Sequence, residues 1–446
     1  MLENFKSKKI LILGFGREGI DSFLFLRKKF PAAVFGIADE LKLEKLSKKA
    51  KKIIRKYPPT KLHLGKDYLT KVKDYDVIIR SPGIAPRILS PFISQKQILT
   101  SPTEIFFDNC PGEIIGITGT KGKGTTSSLI YRILKKGGRK AHLIGNIGKP
   151  VLQLLLSATP KDIYVDELSS HQLSTLKKSP PIAVLLNIYP DHLDYYGTFK
   201  KYAEAKANLC RYQKKSDFLI YNRENKTSRE LSKKSKAKKI PINPKKIEKI
   251  IKIKNIPLKG KFNLYNVGAA IEVGQLYHIS SKKIREAIKT FKPLPHRLEF
   301  VGTFKGIDFY NDSLATMPEA TIAAIEALGK NIATLIAGGF DRGLSFKNVA
   351  TAILKSNIKT LILFPTTGEK IWKEIQIQNA ECKIKNETIN KAFSAKTMEE
   401  AVVLSYQHTD KKRICLLSCA SASFSLFKDY KERGELFKKY VKELAK

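Results

Sequence analysis

The segment Gly116–Ser128, GITGTKGKGTTSS, constrains this chain more than any other. An apolar run, Ile114–Thr118, feeds a glycine-rich turn, then Lys123. Four hydroxyl residues, Thr125, Thr126, Ser127 and Ser128, then open a helical stretch. Glycines let backbone N–H groups turn inward, a helix N-terminus adds the positive end of its dipole, and the lysine adds a point charge. The strict pattern G-x4-G-K-[ST] fails. Ile117 stands where its first glycine belongs, and Gly124 follows the lysine. The order strand, glycines, lysine, hydroxyls, helix still favours nucleotide phosphate over a tight structural turn.

A loop of this kind sits at the carboxyl edge of a parallel sheet, and the remaining apolar runs repeat the pattern. Lys8–Gly19 reads as a strand entering a second glycine-rich turn, and Val34–Asp39 and Val77–Arg80 as short strands. Ile163–Leu168 and Ile182–Ile188 follow in the middle, then Ala333–Ala337, Thr360–Phe364 and Arg413–Leu417, with helical stretches between. Strands alternating with helices predict α/β architecture. The 446 residues suit about three domains of roughly 150 residues. The expected division is 1–102, 103–295 and 296–446, each a mostly parallel sheet flanked by helices. The first and last should be Rossmann-like and the middle one P-loop ATPase-like. Ligands of such sheets sit beyond the carboxyl ends of the strands.

Charge and cysteine content bound the partners. Lys and Arg number 82 against 41 Asp and Glu, a net +41. The lysines run through the whole chain rather than along one stripe, so they read as a solvated surface and not as a nucleic-acid footprint. The densest stretch, Arg223–Lys261, carries 15 cations against 3 glutamates together with Pro241, Pro244 and Pro257, and reads as a surface excursion. It lacks the aromatic residues that stack bases. Five cysteines, Cys110, Cys210, Cys382, Cys415 and Cys419, are too few for a disulfide scaffold and fit a reducing, cytoplasmic setting. None has zinc-finger spacing. No apolar run approaches the roughly 18–20 residues of a membrane span, and the N-terminus enters a strand without a leader-like stretch.

Three further groups fall at strand ends. Asp166–Leu173 reads DELSSHQL, with Glu167 just past an apolar run; Asp191 and His192 follow another. Taken singly, such a Glu is usually a solvated residue and such a His a structural one. The following helix shifts this reading. Phe199, Tyr202, Lys206 and Leu209 are spaced three, four and three, and share one face. A lysine in an apolar stripe either snorkels to the surface or is neutralised and used. In the first turn, ILGFGREG, Gly14, Gly16 and Gly19 with Asp39 twenty residues on match a dinucleotide fingerprint, a weak signal alone.

Together these stretches resemble the ATP-dependent muramyl ligases of peptidoglycan synthesis, over nearly the whole chain. The resemblance is carried by GITGTKGKGTT, GNIGKP at Gly145–Pro150, DELSSHQL, PDHLD, YAEAK ending at Lys206 and FNLYN at Phe262–Asn266. It continues in LPHRLEF at Leu294–Phe300, YNDSLAT at Tyr310–Thr316 and SCASASFSLFKDYKERG at Ser418–Gly434. The SPG at Ser81–Gly83 and the C-terminal motif favour the glutamate-adding branch.

The resemblance implies an ATP-dependent ligase that joins glutamate, expected to be the D-epimer, to UDP-N-acetylmuramoyl-alanine through an acyl phosphate, with two Mg²⁺ ions. Lys123, Glu167, His192 and Lys206 would be catalytic. Gly119, Thr120, Lys121, Gly122, Lys123, Gly124, Thr125, Thr126, Asn266, Arg297 and Asp312 would hold ATP. Gly14, Phe15, Gly16, Arg17, Asp39, Ser81, Pro82, Gly83, Asn146, Ser169 and Gln172 would hold the UDP substrate. Thr316, Arg342, Ser423 and Tyr430 would receive the amino acid. The metal set would be Thr125, Glu167, His192 and a carbamylated Lys206, since carbamylation turns a buried cation into an anionic oxygen ligand suited to Mg²⁺.

Three residues depart from the family pattern. Gly124 replaces a hydroxyl residue, Leu314 a lysine, and Arg342 a second lysine. The resemblance also implies a monomer acting on small molecules. The alternatives are a sibling ligase adding L-glutamate or another amino acid, a basic nucleic-acid-binding ATPase, and an NAD(P) oxidoreductase.

Overall fold

The computed structural model describes residues 2–381, 389, 391–424 and 426–445, so Cys382 lies outside the described residues. The chain forms three sheets. The first contains β1 (Ile10–Leu13), β2 (Phe35–Asp39), β3 (Lys61–Leu64), β4 (Val77–Arg80) and β5 (Ile98–Thr100) in the order β3-β2-β1-β4-β5, all parallel. The second contains β6 (Glu113–Thr118), β7 (Ala141–Gly145), β8 (Ile163–Glu167), β9 (Ile182–Leu185), β10 (Phe218–Tyr221) and β11 (Lys238–Pro241) in the order β11-β10-β9-β6-β8-β7, again parallel. The third contains β12 (Glu299–Phe304), β13 (Ile307–Asn311), β14 (Ile332–Gly338), β15 (Thr360–Phe364), β16 (Lys391–Ser394) and β17 (Ile414–Leu417) in the order β12-β13-β17-β14-β15-β16. Only its β12–β13 hairpin is antiparallel.

These orders decide where ligands can sit. Strand order reverses at β1 in the first sheet and at β6 in the second, which opens a crevice at the carboxyl end of each. The two glycine-rich turns occupy those ends. Central strands such as β1 and β9 are buried and apolar on both faces, as parallel strands covered by helices must be. Ile10, Ile12, Phe23 and Phe35 are sealed in one core with Ile144, Leu152 and Tyr164 from the second sheet and its connections. Each fully buried side chain of this kind contributes about 1.5–3 kcal/mol. The chain divides into two compact units, Met1–Ile253 with Tyr265–Lys289, and Lys254–Leu264 with Thr290–Lys446. In the second unit, separate apolar clusters cover the two faces of the third sheet.

Several expectations are corrected. Val34 stays outside β2 and is 38% exposed. The run Ile182–Ile188 leaves its strand at Leu185, because beyond it the backbone serves the phosphate loop, with the Asn187 carbonyl accepting the Thr120 N–H at 2.7 Å. The lysine-rich stretch Arg223–Lys261 is more than a surface excursion. It supplies the helix Lys226–Ser232, capped by Asn225, and the edge strand β11, and it buries Ile242, Ile247 and Ile251. Among the described residues no helix is long and apolar enough to cross a membrane.

Candidate active site

The phosphate loop leaves β6 at Thr118 and enters the helix Lys123–Lys136 through Gly122, whose φ of 88° lies in the left-handed region. A side chain there would also collide with the Asn266 amide. No side chain caps this helix, and the positive end of its dipole suits an anionic ligand. Lys123 folds over the loop and donates to the carbonyls of Gly119 (2.9 Å) and Thr120 (3.2 Å). Thr126 donates to Asn266 Oδ1 at 3.2 Å, joining two of the residues expected at ATP. Thr125 is buried just beyond Gly124.

Lys206 lies on the helix Phe199–Arg211, started by a Thr198 cap. It is 1% exposed, so it does not snorkel. Its Nζ donates to the Gly119 carbonyl at 3.0 Å and to Thr118 Oγ1 at 3.3 Å, and lies 4.9 Å from the centre of the Tyr202 ring. Burial, and then the nearby Lys123 cation, hold its pKa well below the usual lysine range.

Beside it, β8 ends in Asp166 and Glu167, both buried. Both oxygens of Asp166, Oε2 of Glu167 and Oε2 of Glu18 are buried without a hydrogen-bond partner. Burial first, then the Glu18 and Glu167 charges, push the Asp166 pKa up to about 8. Burial likewise raises that of Glu18. Protonation of Asp166 therefore lets it sit buried beside the other two carboxyl groups. Glu167 Oε1 accepts from Asn146 at 3.3 Å.

A cleft of about 510 Å³ brings Lys123, Lys206, Asp191 and His192 together with Gly14, Gly16 and Arg17 of the first turn and the Ser81–Gly83 loop. Asn146, Ser169 and His171 also line it. His171 is kept largely neutral, its pKa lowered to about 4 by burial and then by His192, Lys206 and Arg80.

Several expected substrate residues have structural duties. The Phe15 side chain is 1% exposed and packs edge-on against Phe23 in the core. Asp39 accepts the N–H groups of Phe15 (2.7 Å) and Leu41 (2.9 Å), so both its oxygens brace the glycine turn. Arg17 donates to the Gly145 carbonyl at 2.6 Å. Ser169 and Gln172 form a capping box, and Gln172 Nε2 reaches Glu18 at 3.0 Å.

In the second unit, Asp312 accepts from the Leu298 N–H (3.0 Å) and Ser418 Oγ (3.0 Å) and ties Arg297's neighbour to the C-terminal motif. Leu314 donates its N–H to the His296 carbonyl, and Thr316 follows it in the same turn. Arg342 is exposed, its guanidinium 5.4 Å from the centre of the Phe424 ring. Ser423 is buried, and Tyr430 begins the helix Tyr430–Glu443.

Sequence reasoning passed over two buried arginines. Arg80 donates to the Pro82 (3.3 Å) and Ile84 (2.5 Å) carbonyls and to Thr175 Oγ1 (3.2 Å), bracing the Ser81–Gly83 loop. Arg433 donates to Ser313 Oγ, the Ser313 carbonyl and the Ser421 carbonyl. A cation ending an apolar run just before SPG was the available signal for Arg80; nothing local marks Arg433.

The metal set is testable by donor chemistry. Among the described residues no group of three or more His, Cys, Asp or Glu side chains is placed to share an ion. The orphaned Glu167 oxygen fits a hard cation that takes oxygen ligands. Additional oxygen must come from another source, such as a modified Lys206 or the substrates.

Comparison with known proteins agrees with this architecture. Residues 117–254 match the Mur ligase middle domain and residues 296–421 the Mur ligase, glutamate ligase domain. The UDP-N-acetylmuramoylalanine–D-glutamate ligase of Acetivibrio thermocellus is 34% identical over 465 aligned positions, covering 98% of this chain and 97% of that protein. That of Koribacter versatilis is 34% identical, covering 99% and 98%. Among solved structures, MurF ligase from Thermotoga maritima in complex with ADP is similar in fold, with TM-score 0.58 and 14% identity over 99% of this chain and 97% of that one. A pseudomurein peptide ligase type C from Methanothermus fervidus gives TM-score 0.57 and 19% identity over 98% and 99%. The chain belongs to the Mur ligase family, alongside the D-glutamate ligases that it matches over nearly its whole length.

Proposed function

We propose that this chain is the ATP-dependent ligase that adds D-glutamate to UDP-N-acetylmuramoyl-L-alanine, as a cytoplasmic monomer divided at 1–102, 103–295 and 296–446. The observation that carries the reading is the single cleft in which Lys123 and Lys206 meet the first glycine turn and the Ser81–Gly83 loop. A phosphate-holding loop and a second glycine turn in one cleft suit a reaction between a nucleoside triphosphate and a nucleotide-linked acid.

In this reading the γ-phosphoryl of ATP passes to the alanyl carboxylate, and ADP leaves. The glutamate amine attacks the resulting acyl phosphate, phosphate departs, and an amide remains. The reacting carboxylate belongs to the substrate, so the chain supplies positioning and charge rather than a nucleophile. Lys123 and the N-terminal turn of its helix hold phosphate oxygens. Arg17, Asn146 and the Ser81–Gly83 loop hold the nucleotide-sugar. Two Mg²⁺ ions, held by Thr125, Glu167, His192 and carbamylated Lys206, would neutralise phosphate charge when bound. Burial favours the neutral Lys206 amine, the form that adds CO₂. Thr316, Arg342, Ser423 and Tyr430 receive glutamate, with the Arg342 fork on a carboxylate.

The test is ADP release with UDP-N-acetylmuramoyl-L-alanine and each amino acid in turn. D-glutamate should be the only efficient acceptor. Faster turnover with L-glutamate or another amino acid would move the chain to a sibling activity, and no release with any of them would overturn the reading.

A further inference from the structure

One ring in the cleft has no part in the reaction above. His171 sits in the short helix Ser170–Leu173, whose start is fixed by the Ser169–Gln172 capping box. Its ring centre lies 4.3 Å from that of Tyr195 and 4.8 Å from that of His192, both at 80°. These are edge-to-face contacts, an arrangement aromatic rings prefer.

The two neighbours are held in different ways, His192 in part by Asp191, whose Oδ1 accepts its backbone N–H at 3.0 Å and whose Oδ2 lies 3.8 Å from Nε2. The Tyr195 hydroxyl donates to the Pro82 carbonyl at 3.3 Å, and its ring packs 4.7 Å from Tyr196, which in turn lies 5.5 Å from the buried Tyr202. His192 stands in the left-handed region, with φ 53° and ψ 38°, and its side chain is 40% exposed. A non-glycine residue keeps such a conformation only when its surroundings hold it. Tyr202 lies 6.3 Å from the His192 ring, so His171 is the closer of the two.

We infer that His171 is a positioning residue, which holds the His192 imidazole in the cleft by ring-on-ring contact and does not need its own nitrogen atoms. Phenylalanine keeps an aromatic ring edge and lacks the nitrogens; asparagine keeps a polar amide and lacks the ring. That contrast separates packing from hydrogen bonding. The inference rests on the ligase reading only in assigning His192 a place in the reaction.

The test compares full-length His171→Phe, His171→Asn and His171→Ala in two ways. The first readout is the ring ¹³Cε1–¹Hε1 signal of His192 in histidine-labelled protein, assigned with His192→Gln. The Phe variant should keep one narrow His192 signal, and the Asn and Ala variants should split or broaden it. The second readout is ADP release. The kcat of the Phe variant should stay within about threefold of wild type. That of Asn and Ala should fall by roughly ten- to a hundredfold, with KM for glutamate within about twofold, the scale of a misplaced catalytic group. If the Ala variant fails to fold, the Asn–Phe contrast decides alone. A wild-type-like Asn with an impaired Phe would make the nitrogen the active feature and overturn the inference. An unchanged His192 signal in both Asn and Ala would overturn it as well. A wild-type chain that releases no ADP would sink the ligase reading, and the spectroscopic arm would still decide the role of His171.

Discussion

Lys206 donates from Nζ to the carbonyl oxygen of Gly119 at 3.0 Å, so the helix Phe199–Arg211 is tied to the first residue after β6 by its one buried amine. That bond places the amine beside the phosphates rather than in bulk solvent. Lys206→Ala should abolish ADP release while the protein keeps its circular dichroism spectrum. Added formate or acetate, as surrogate carboxylates, should restore part of it if the carbamate is the working form. Wild-type turnover of the alanine variant would remove Lys206 from the mechanism.

Arg342 should be the main carboxylate anchor for glutamate. It follows the glycines that end β14, at the carboxyl edge of the third sheet, and its guanidinium lies against the exposed Phe424 ring. A ring beneath the fork limits its rotation and leaves its edge for a bidentate pair. Arg342→Met should raise KM for glutamate by about ten- to a hundredfold, the scale of a charged hydrogen bond of roughly 1.5–3 kcal/mol, and leave KM for ATP nearly unchanged. Equal losses for both substrates would make it a structural residue.

The second buried arginine should act on stability. Arg433 is 0% exposed and satisfies the carbonyls of Ser313 and Ser421. Arg433→Met leaves those acceptors buried without donors, at about 1–3 kcal/mol each. Urea unfolding followed by fluorescence of Trp372, a residue of the second unit, should therefore shift to lower denaturant. A midpoint unchanged from wild type would refute the clamp.

Asp162 gives a pH signature. It is buried and accepts from the Thr159 N–H (2.7 Å), Thr159 Oγ1 (2.5 Å), His142 Nε2 (2.6 Å) and Lys140 Nζ (3.0 Å). Burial alone would raise its pKa; the hydrogen bonds from Thr159, His142 and Lys140 outweigh burial and hold it well below the ordinary 3.8. A depressed folded-state pKa means that the unfolded chain takes up the proton first. The stabilisation is present above about pH 4 and is lost as the pH falls from there toward the folded value. Wild type should melt above Asp162→Asn at pH 6, and the gap should be smaller at pH 3. A gap that widens on acidification would reverse the argument.

Much of the site could be read in the sequence because its parts are local. The phosphate loop is thirteen consecutive residues, and the spacing of Phe199, Tyr202, Lys206 and Leu209 identifies the buried face of their helix. What escaped depends on distant partners. Arg433 reaches Ser313 across 120 positions, and Arg80 reaches Thr175 across 95. Phe15 sits inside a ligand-like glycine motif, yet a hydrophobic core takes its side chain. β11 hid in a lysine-rich stretch because it is an edge strand. Exposed lysines and a terminal proline are what such an edge tolerates, since they discourage pairing with another chain.

The shared core of the first two sheets has a mechanical meaning. Ile12 and Phe23 pack in one apolar mass with Ile144 and Tyr164, and Arg17 and Gln172 fasten across it. The glycine turn and the phosphate loop thus behave as the two jaws of a caliper already locked at one setting. A nucleotide-sugar gripped at its far end would have its reactive carboxylate delivered at a fixed span. An acceptor shortened by removing the nucleotide should then lose turnover as well as affinity, because the grip that sets the span is gone.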